Sequence, residues 1–190
     1  MNLKQEYGKT KVRVVKVVDL PPEASAPGLK KQKMIELTCS VLLSGPAFSS
    51  SYSSADNLLV VPTDTVKNTI YLLAKTEPIS DLEEFAFAIS AHFITKYPHV
   101  DGVHTNLVSH DWSRINTTTY EPVLQGDSGS KIGNDTKPHP HAFYRGGQHI
   151  RYCESFALRK SGNMQIDLTS GVKGYEIVKT TGRSLYNIRV

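Results

Sequence analysis

Cysteine is scarce in this sequence, and long apolar runs are absent. The two cysteines, Cys39 and Cys153, are too few for a disulfide framework and lack the paired spacing of a metal knuckle. Each lies in an apolar, strand-like segment, so both are predicted to be core thiols. No apolar run approaches the length that spans a membrane, and residues 1–6 contain no apolar signal region. We therefore do not expect a membrane or secreted protein.

The sequence also lacks a nucleic-acid motif, although its formal net charge is +4. The positive excess is concentrated before Met34, where lysine and arginine clearly outnumber acidic residues. This balance mildly favours anionic ligands, but no basic stripe interleaved with aromatic residues accompanies it. Binding of nucleic acid is therefore only a minor hypothesis. With 39% hydrophobic and 21% charged residues, the composition is typical of a soluble globular protein.

Alternation of apolar and polar residues predicts most of the strands. A β-branched run at 12–18 predicts the first strand, and the alternation from Ile35 to Leu43 predicts a second that pairs with it. The same period returns at 99–115, and a fourth strand is predicted at 138–145, ended by Gly146 and Gly147. Strand-like segments at 150–158, 164–168 and 175–178 follow, and we expect them to belong to a separate hairpin.

Two helices are predicted between the second and third strands. The first begins at Pro62, with Thr63 as its N-cap and Asp64 in the first turn, where the helix dipole favours negative charge. The second begins with a capping box that runs from Ser80 to Glu83. Its apolar stripe is predicted to be core and consists of Leu82, Phe85, Ala86, Ile89, Phe93 and Ile94.

The predicted order, ββααββ, indicates an α+β fold in which two helices cover one face of an antiparallel sheet. We assign residues 1–146 to this first unit, with a long polar loop insertion at 116–136. Residues 147–190 are then a partial second unit, a strand hairpin without its helices.

Three further motifs have both a functional and an ordinary interpretation. The segment 126–130 is similar to the nucleophile motif of trypsin-like proteases but departs from it at the last glycine, so we expect no catalytic role. His139 and His141 share a strand face near His149, yet no carboxylate or cysteine stands at a supporting spacing. We therefore predict no metal site. The helix start at Thr63 is either an ordinary cap or a place where free backbone N–H groups bind a small anion.

Several motifs together resemble those of urate oxidase (uricase). The likeness begins at Tyr7-Gly8-Lys9 and continues through Ala55-Asp56-Asn57 and the segment from Thr63 to Tyr71. It extends through His92-Phe93, Tyr97-Pro98-His99, Trp112, Arg114, the segment from Lys137 to His141, and the segment from Val178 to Thr181. The likeness therefore covers most of the chain except the linker at 19–33 and the insertion.

The resemblance implies a tunnelling fold (T-fold) of two tandem units, assembled as a homotetramer whose active sites lie between subunits. It implies oxidation of urate by O2 and water to 5-hydroxyisourate and hydrogen peroxide, with no metal or organic cofactor. Lys9 and Thr63 match the family's catalytic relay, and Thr63 and Asp64 match positions that contact the purine. The implied compartment is the peroxisome, although Ile188-Arg189-Val190 does not match the C-terminal signal; the cytoplasm is the alternative.

These residue types suit the chemistry. Urate is a planar acid that must lose a further proton before it gives electrons to O2, and a lysine that is buried or close to other cations can accept a proton. The Thr63 hydroxyl can pass the proton on while the amides of the helix start hold the anionic ring. The ordinary interpretation of Lys9 is a solvated lysine at a strand edge.

The sequence departs from the family in its second half. The arginine, glutamine, asparagine and histidine that complete the family's site have no counterparts here, so we expect an N-terminal half that is inactive alone. The aromatic residue that stacks on the purine aligns with Leu185, next to Tyr186, and leucine has no π face. A non-catalytic remnant or assembly module is the main alternative. A related enzyme that acts on a pterin-like ring is disfavoured.

Overall fold

The computed structural model describes residues 5–21, 31–118 and 136–176. In chain order the elements are β1 (Tyr7–Asp19), β2 (Gln32–Ser44), a 3-10 turn (Pro46–Phe48), α1 (Ser49–Ser53), α2 (Thr63–Thr76), α3 (Leu82–Lys96), β3 (Gly102–Thr118), β4 (Thr136–Lys160) and β5 (Asn163–Lys173). The strands form one sheet in the order β1-β2-β3-β4-β5, and every neighbouring pair is antiparallel. The α+β arrangement is therefore confirmed.

The strand predicted at 138–145 and the one predicted at 150–158 are a single strand, β4, and the prediction of a break at the glycine pair was wrong. The reason is that β3 pairs with both parts: Trp112 lies opposite Arg145, and His110 lies opposite Ile150. Gly147, at φ 84°, takes up the surplus chain as an irregularity in this pairing. The division of the chain into units at 146/147 stays a prediction. Of the predicted insertion, residues 119–135 lie outside the described residues.

The core lies between one face of the sheet and the two long helices. Alternate β2 residues, Leu37, Cys39, Val41 and Leu43, are fully buried in the same hydrophobic core as the apolar stripe of α3, all of whose six predicted members are buried. Both cysteines are free and buried, as predicted. Burial raises the pKa of the Cys39 thiol to about 12 and, with the nearby acidic residues, that of Cys153 to about 11.

Both helix starts differ from the predicted caps. The N-cap of α3 is Asp81 rather than Ser80, because the Asp81 carboxylate accepts hydrogen bonds from the amides of Glu83 and Glu84, each at 3.1 Å. The N-cap of α2 is Pro62 rather than Thr63, which is the first helical residue. Pro62 is extended, at φ −54° and ψ 137°, and no side chain caps this helix start.

Two cations from the sheet bind the C-terminal ends of the helices. The Lys16 ammonium donates to the carbonyls of Ala74, Lys75 and Glu77 at 2.9, 3.4 and 3.3 Å. The Arg159 guanidinium donates to the carbonyls of Ile94, Tyr97 and Val100 at the end of α3. Each cation satisfies carbonyls that have no partner inside the helix and opposes the negative end of the dipole.

Replacing Lys16 with Met should lower the free energy of unfolding by about 1–2 kcal/mol, because charge-assisted hydrogen bonds to three carbonyls are lost while the alkyl stem is kept. Urea denaturation at neutral pH measures the change. Lys33→Met removes the same charge from an exposed β2 position and should stay close to the parent. Equal stabilities for the two variants would contradict the capping role of Lys16.

A buried carboxylate lies on the face of the sheet away from the helices. Glu36 is 2% exposed, and its oxygens bind the Arg13 guanidinium at 2.6 Å and the Trp112 indole N–H at 2.8 Å. Burial opposes ionisation of Glu36, but the bonds from Trp112 and Arg13 outweigh it and lower the pKa of the carboxyl. Because the folded pKa is lowered, the ionised group stabilises the fold above its unfolded pKa, and this stabilisation is lost as the pH falls through the folded pKa.

Glu36→Gln should therefore be less stable than the parent at pH 7, by about 2 kcal/mol, since a charge-assisted bond becomes a neutral one. The difference should shrink as the pH falls below the ordinary glutamate value of 4.5 and through the lowered pKa of the Glu36 carboxyl, where the parent's carboxyl becomes protonated. Denaturation of both proteins across this range measures it. A difference that does not change with pH would show that the Glu36 charge adds no stability.

Candidate functional site

Lys9 and Asp64, which are far apart in the sequence, meet where α2 begins against β1. The Lys9 Nζ lies 3.6 Å from Asp64 Oδ1, and Thr63 precedes Asp64 as the first residue of the helix. We call Lys9, Thr63 and Asp64 the α2 N-terminal site. It unites three of the four residues that the sequence predicts to act on a substrate. The fourth, Leu185, lies outside the described residues.

A β-bulge in β1 aims Lys9 at the helix. Lys9 pairs with Val41 and Val12 pairs with Cys39, so two residues of β1 stand opposite Ser40 alone. Lys11 takes up the surplus at φ 56°, and its amide donates to the Ser40 hydroxyl at 3.1 Å. Since the buried Val41 and Cys39 face the helices, Lys9 and Val12 face them too. Simple alternation would have placed these two residues on opposite faces.

Gly8 permits the close approach of β1 and β2 beside the bulge. A Cβ added at this residue would collide with the carbonyl oxygen of Val41. Only glycine lets the strand pass here without a shift of either backbone. The position of Lys9 thus depends on its neighbour as well as on the bulge.

Tyr7 fixes the segment that leads into α2. Its phenol oxygen accepts a hydrogen bond of 2.7 Å from the amide of Val61, which is 3% exposed, and its ring packs edge-on against Phe48 at 4.7 Å. Burial raises the pKa of Tyr7, although the bond from Val61 opposes this, so the phenol stays a neutral acceptor. Pro62 has no N–H, which makes the Val61 amide the last backbone donor that can anchor the chain before the helix.

The charge at the α2 N-terminal site is set by two cations around one anion. Besides Lys9, Lys67 also contacts Asp64. Its Nζ lies 3.0 Å from Asp64 Oδ1, and both residues belong to α2. The hydrogen bond and charge of Lys67, followed by the charge of Lys9, lower the pKa of Asp64. The first amides of α2 add further positive character because they have no acceptor within the helix. The site can therefore bind a small anion and also offers a hydroxyl and a carboxylate.

Sequence reasoning assigned no role to Lys67 or Tyr7. The signal for Lys67 was available, since it lies three residues after Asp64 on a predicted helix, where side chains meet. No local pattern indicates the bond between Tyr7 and Val61, which joins residues far apart in the chain.

The histidines of β4 have ordinary partners. His139 Nδ1 accepts from the amide of His141, and His141 Nδ1 lies 3.1 Å from Gln32 Oε1. His149 pairs with Asp111 at 3.0 Å. In the part of the chain that the structure describes, no cluster of three or more histidine, cysteine or acidic side chains could hold a metal ion. The protease-like segment at 126–130 lies outside the described residues.

A groove of about 850 Å³ runs along α3 and the C-terminal end of α2, away from the α2 N-terminal site. Leu73, Phe87 and His92 are among the residues that line it. It contains none of Lys9, Thr63 and Asp64, so its walls bear no part of the predicted relay.

Comparison with known proteins identifies relatives over nearly the whole chain. The family model described as Uricase matches residues 5–155. The curated uricases of Cyberlindnera jadinii and Aspergillus flavus are 37% and 34% identical over 180 residues, which is 95% of this chain and 51% of each relative. The chain thus spans about half the length of the curated relatives it matches.

Solved structures show the same fold. The crystal structure of uricase from Arthrobacter globiformis superposes with a TM-score of 0.67 at 26% identity, over 92% of this chain and 48% of that one. A uricase from Bacillus fastidious superposes with a TM-score of 0.74 over 100% of this chain and 58% of that one; at 21% identity it supports the fold alone. Among the described residues, none of the helices is both long and apolar enough to cross a membrane.

Tyr7→Phe should lower the free energy of unfolding by about 1–2 kcal/mol, because the buried Val61 amide loses its acceptor while the ring packing is kept. Hydrogen exchange of the Val61 amide, followed by NMR, should become faster in the same variant. Tyr71→Phe is the matched control, since Tyr71 is 45% exposed on α2. Unchanged exchange at Val61 would show that Tyr7 does not anchor the segment.

Proposed function

The chain belongs to the uricase family, and on this premise we propose that it carries the lysine, threonine and aspartate side of a urate-oxidising site. The observation that supports this most directly is the meeting of Lys9 and Asp64 at 3.6 Å, beside Thr63 at the first position of α2. The reaction is the oxidation of urate by O2 and water to 5-hydroxyisourate and hydrogen peroxide. Urate gives two electrons to O2, and water supplies the hydroxyl group of the product.

The three side chains have complementary roles in this proposal. Lys9 and Thr63 form a proton relay in which the part-exposed Lys9 ammonium first gives up a proton to solvent. The Thr63 hydroxyl then passes the proton that leaves the purine to the neutral Lys9 amine. The Asp64 carboxylate accepts a hydrogen bond from a ring N–H, as only an acceptor can. The free amides at the start of α2 hold the oxygen that carries the ring's negative charge.

The α2 N-terminal site is open, so a second surface must complete it. The Asp64 side chain is 71% exposed and that of Lys9 is 37% exposed. We infer that the completing surface comes from a second half and from another copy in a tetramer. The face of the sheet away from the helices supports assembly, because it exposes Val15, Val17, Phe156 and Leu158 by 42–54%.

The deciding experiment follows urate absorbance and peroxide release together. The 190-residue chain is assayed alone and after mixing with the C-terminal half of the Cyberlindnera jadinii uricase, with sedimentation velocity to report assembly. We expect no turnover by the chain alone and urate-dependent peroxide release by the mixture. Assembly without turnover would favour the non-catalytic assembly module instead.

In the active mixture, Lys9→Met and Thr63→Ala should each reduce the rate by roughly a hundredfold or more, the usual range for acid–base groups. Lys33→Met is the control for the lost charge, since Lys33 is exposed on β2. Thr76→Ala is the control for the lost hydroxyl, at the other end of α2. Both controls should keep the parent rate. Full activity in Lys9→Met and Thr63→Ala would refute the relay.

A further inference from the structure

Two ammonium groups lie close to one carboxylate oxygen at the α2 N-terminal site. Lys67 Nζ lies 3.0 Å from Asp64 Oδ1 and donates a hydrogen bond to it. Lys9 Nζ approaches the same oxygen at 3.6 Å, which is too long for a hydrogen bond. Lys67 thus holds the oxygen directly, and Lys9 stays next to it.

The advantage of Lys67 follows from the geometry of the helix. Residues three apart lie on the same face, so Lys67 reaches Asp64 from one turn further along α2. Lys9 must reach it from another element, β1. The influence of the two lysines on Asp64 has the same order, because Lys67 contributes more than Lys9 to the lowered pKa of the carboxyl.

We propose that Lys67 is a positioning residue for the reaction, which holds the Asp64 carboxylate by a direct hydrogen bond and so keeps Lys9 beside that carboxylate without such a bond. This inference rests on the proposed function. With Oδ1 bonded to Lys67, the Lys9 amine lies 3.6 Å from that oxygen and stays available for the proton exchange proposed with the Thr63 hydroxyl. Lys67 does not itself contact the reacting atoms.

Loss of Lys67 should change the site in two ways. Among the described residues, Lys9 would then be the one cation left next to Asp64, and a direct hydrogen bond to the carboxylate would restrain the lysine. That bond would also engage the carboxylate that is proposed to accept the purine N–H. Both effects act on geometry in the bound complex, so we expect them to lower kcat more than they raise KM.

The first test does not depend on activity. The titration of Asp64 is followed by carbonyl carbon NMR in the 190-residue chain, in its Lys67→Gln variant and in Lys75→Gln, which removes the same charge from the last turn of α2. We expect the pKa of Asp64 to rise toward its ordinary value in Lys67→Gln and to keep its parent value in Lys75→Gln. An unchanged Asp64 titration in Lys67→Gln would overturn the inference whatever the activity.

The second test uses the mixture with the C-terminal half. Lys67→Gln should lose about tenfold or more in kcat with little change in KM, as expected when a reacting group is misplaced. Lys67→Arg keeps a cation at this position and should recover most of the rate, and Lys75→Gln should match the parent. Parent kinetics in Lys67→Gln, or failure of Lys67→Arg to recover the rate, would overturn the positioning role. Absence of turnover in the parent mixture would instead refute the proposed function and, with it, the role of Lys67 in the reaction. The NMR titration would still decide whether Lys67 holds the Asp64 carboxylate.

Discussion

The bulge at Lys11 is the constraint on which the geometry of the site depends. A strand directs successive side chains to opposite faces, so one segment of β1 could not ordinarily direct both Lys9 and Val12 toward the helices. The extra residue resets the alternation between them. As a result Val12 and Val14 fill the core, and Lys9 reaches the start of α2 from the same face. A regular strand would have to give up one of these two functions.

The bulge determines the face that Lys9 takes, and the docking of α2 determines what it meets there. Polar contacts bind the helix to β1 near both of its ends. Tyr7 holds the segment just before the helix through the Val61 amide, and Lys16 holds the carbonyls at its C-terminal end. Between these contacts Val66 and Ile70 are completely buried, which supplies the apolar part of the packing. Because Tyr7 and Lys9 lie two residues apart on the same strand face, the Tyr7 anchor also limits how far Asp64 can move from Lys9.

Local patterns in the sequence predict the elements of this fold well and their irregularities poorly. The alternation in β2 and the stripe in α3 are correct because both depend only on which residues face the core. The caps were misplaced by one residue at Asp81 and Pro62, since neighbouring residues can each satisfy a helix start and only the backbone conformation decides between them. The continuity of β4 through Gly147 depends on β3, which pairs with both of its parts. No pattern within 138–158 contains that information.

The same distinction applies to the site. Thr63 and Asp64 are adjacent in the sequence, and a helix start is a local feature, so their residue types alone are compatible with either an ordinary cap or an anion-binding site. Lys9 joins them through the bulge and the packing of α2, which alternation alone does not predict; here the family resemblance supplied what local reasoning could not.

Proton transfer from a bound purine also benefits from exclusion of water, because electrostatic interactions strengthen when the solvent is displaced. Asp64 is 71% exposed, so in the proposed urate site the described residues supply one wall, and the proposal requires the opposite wall to come from another surface. Because Tyr7 and Lys16 anchor this wall through contacts within the chain, the proposal expects a partner surface to complete the site without rebuilding it.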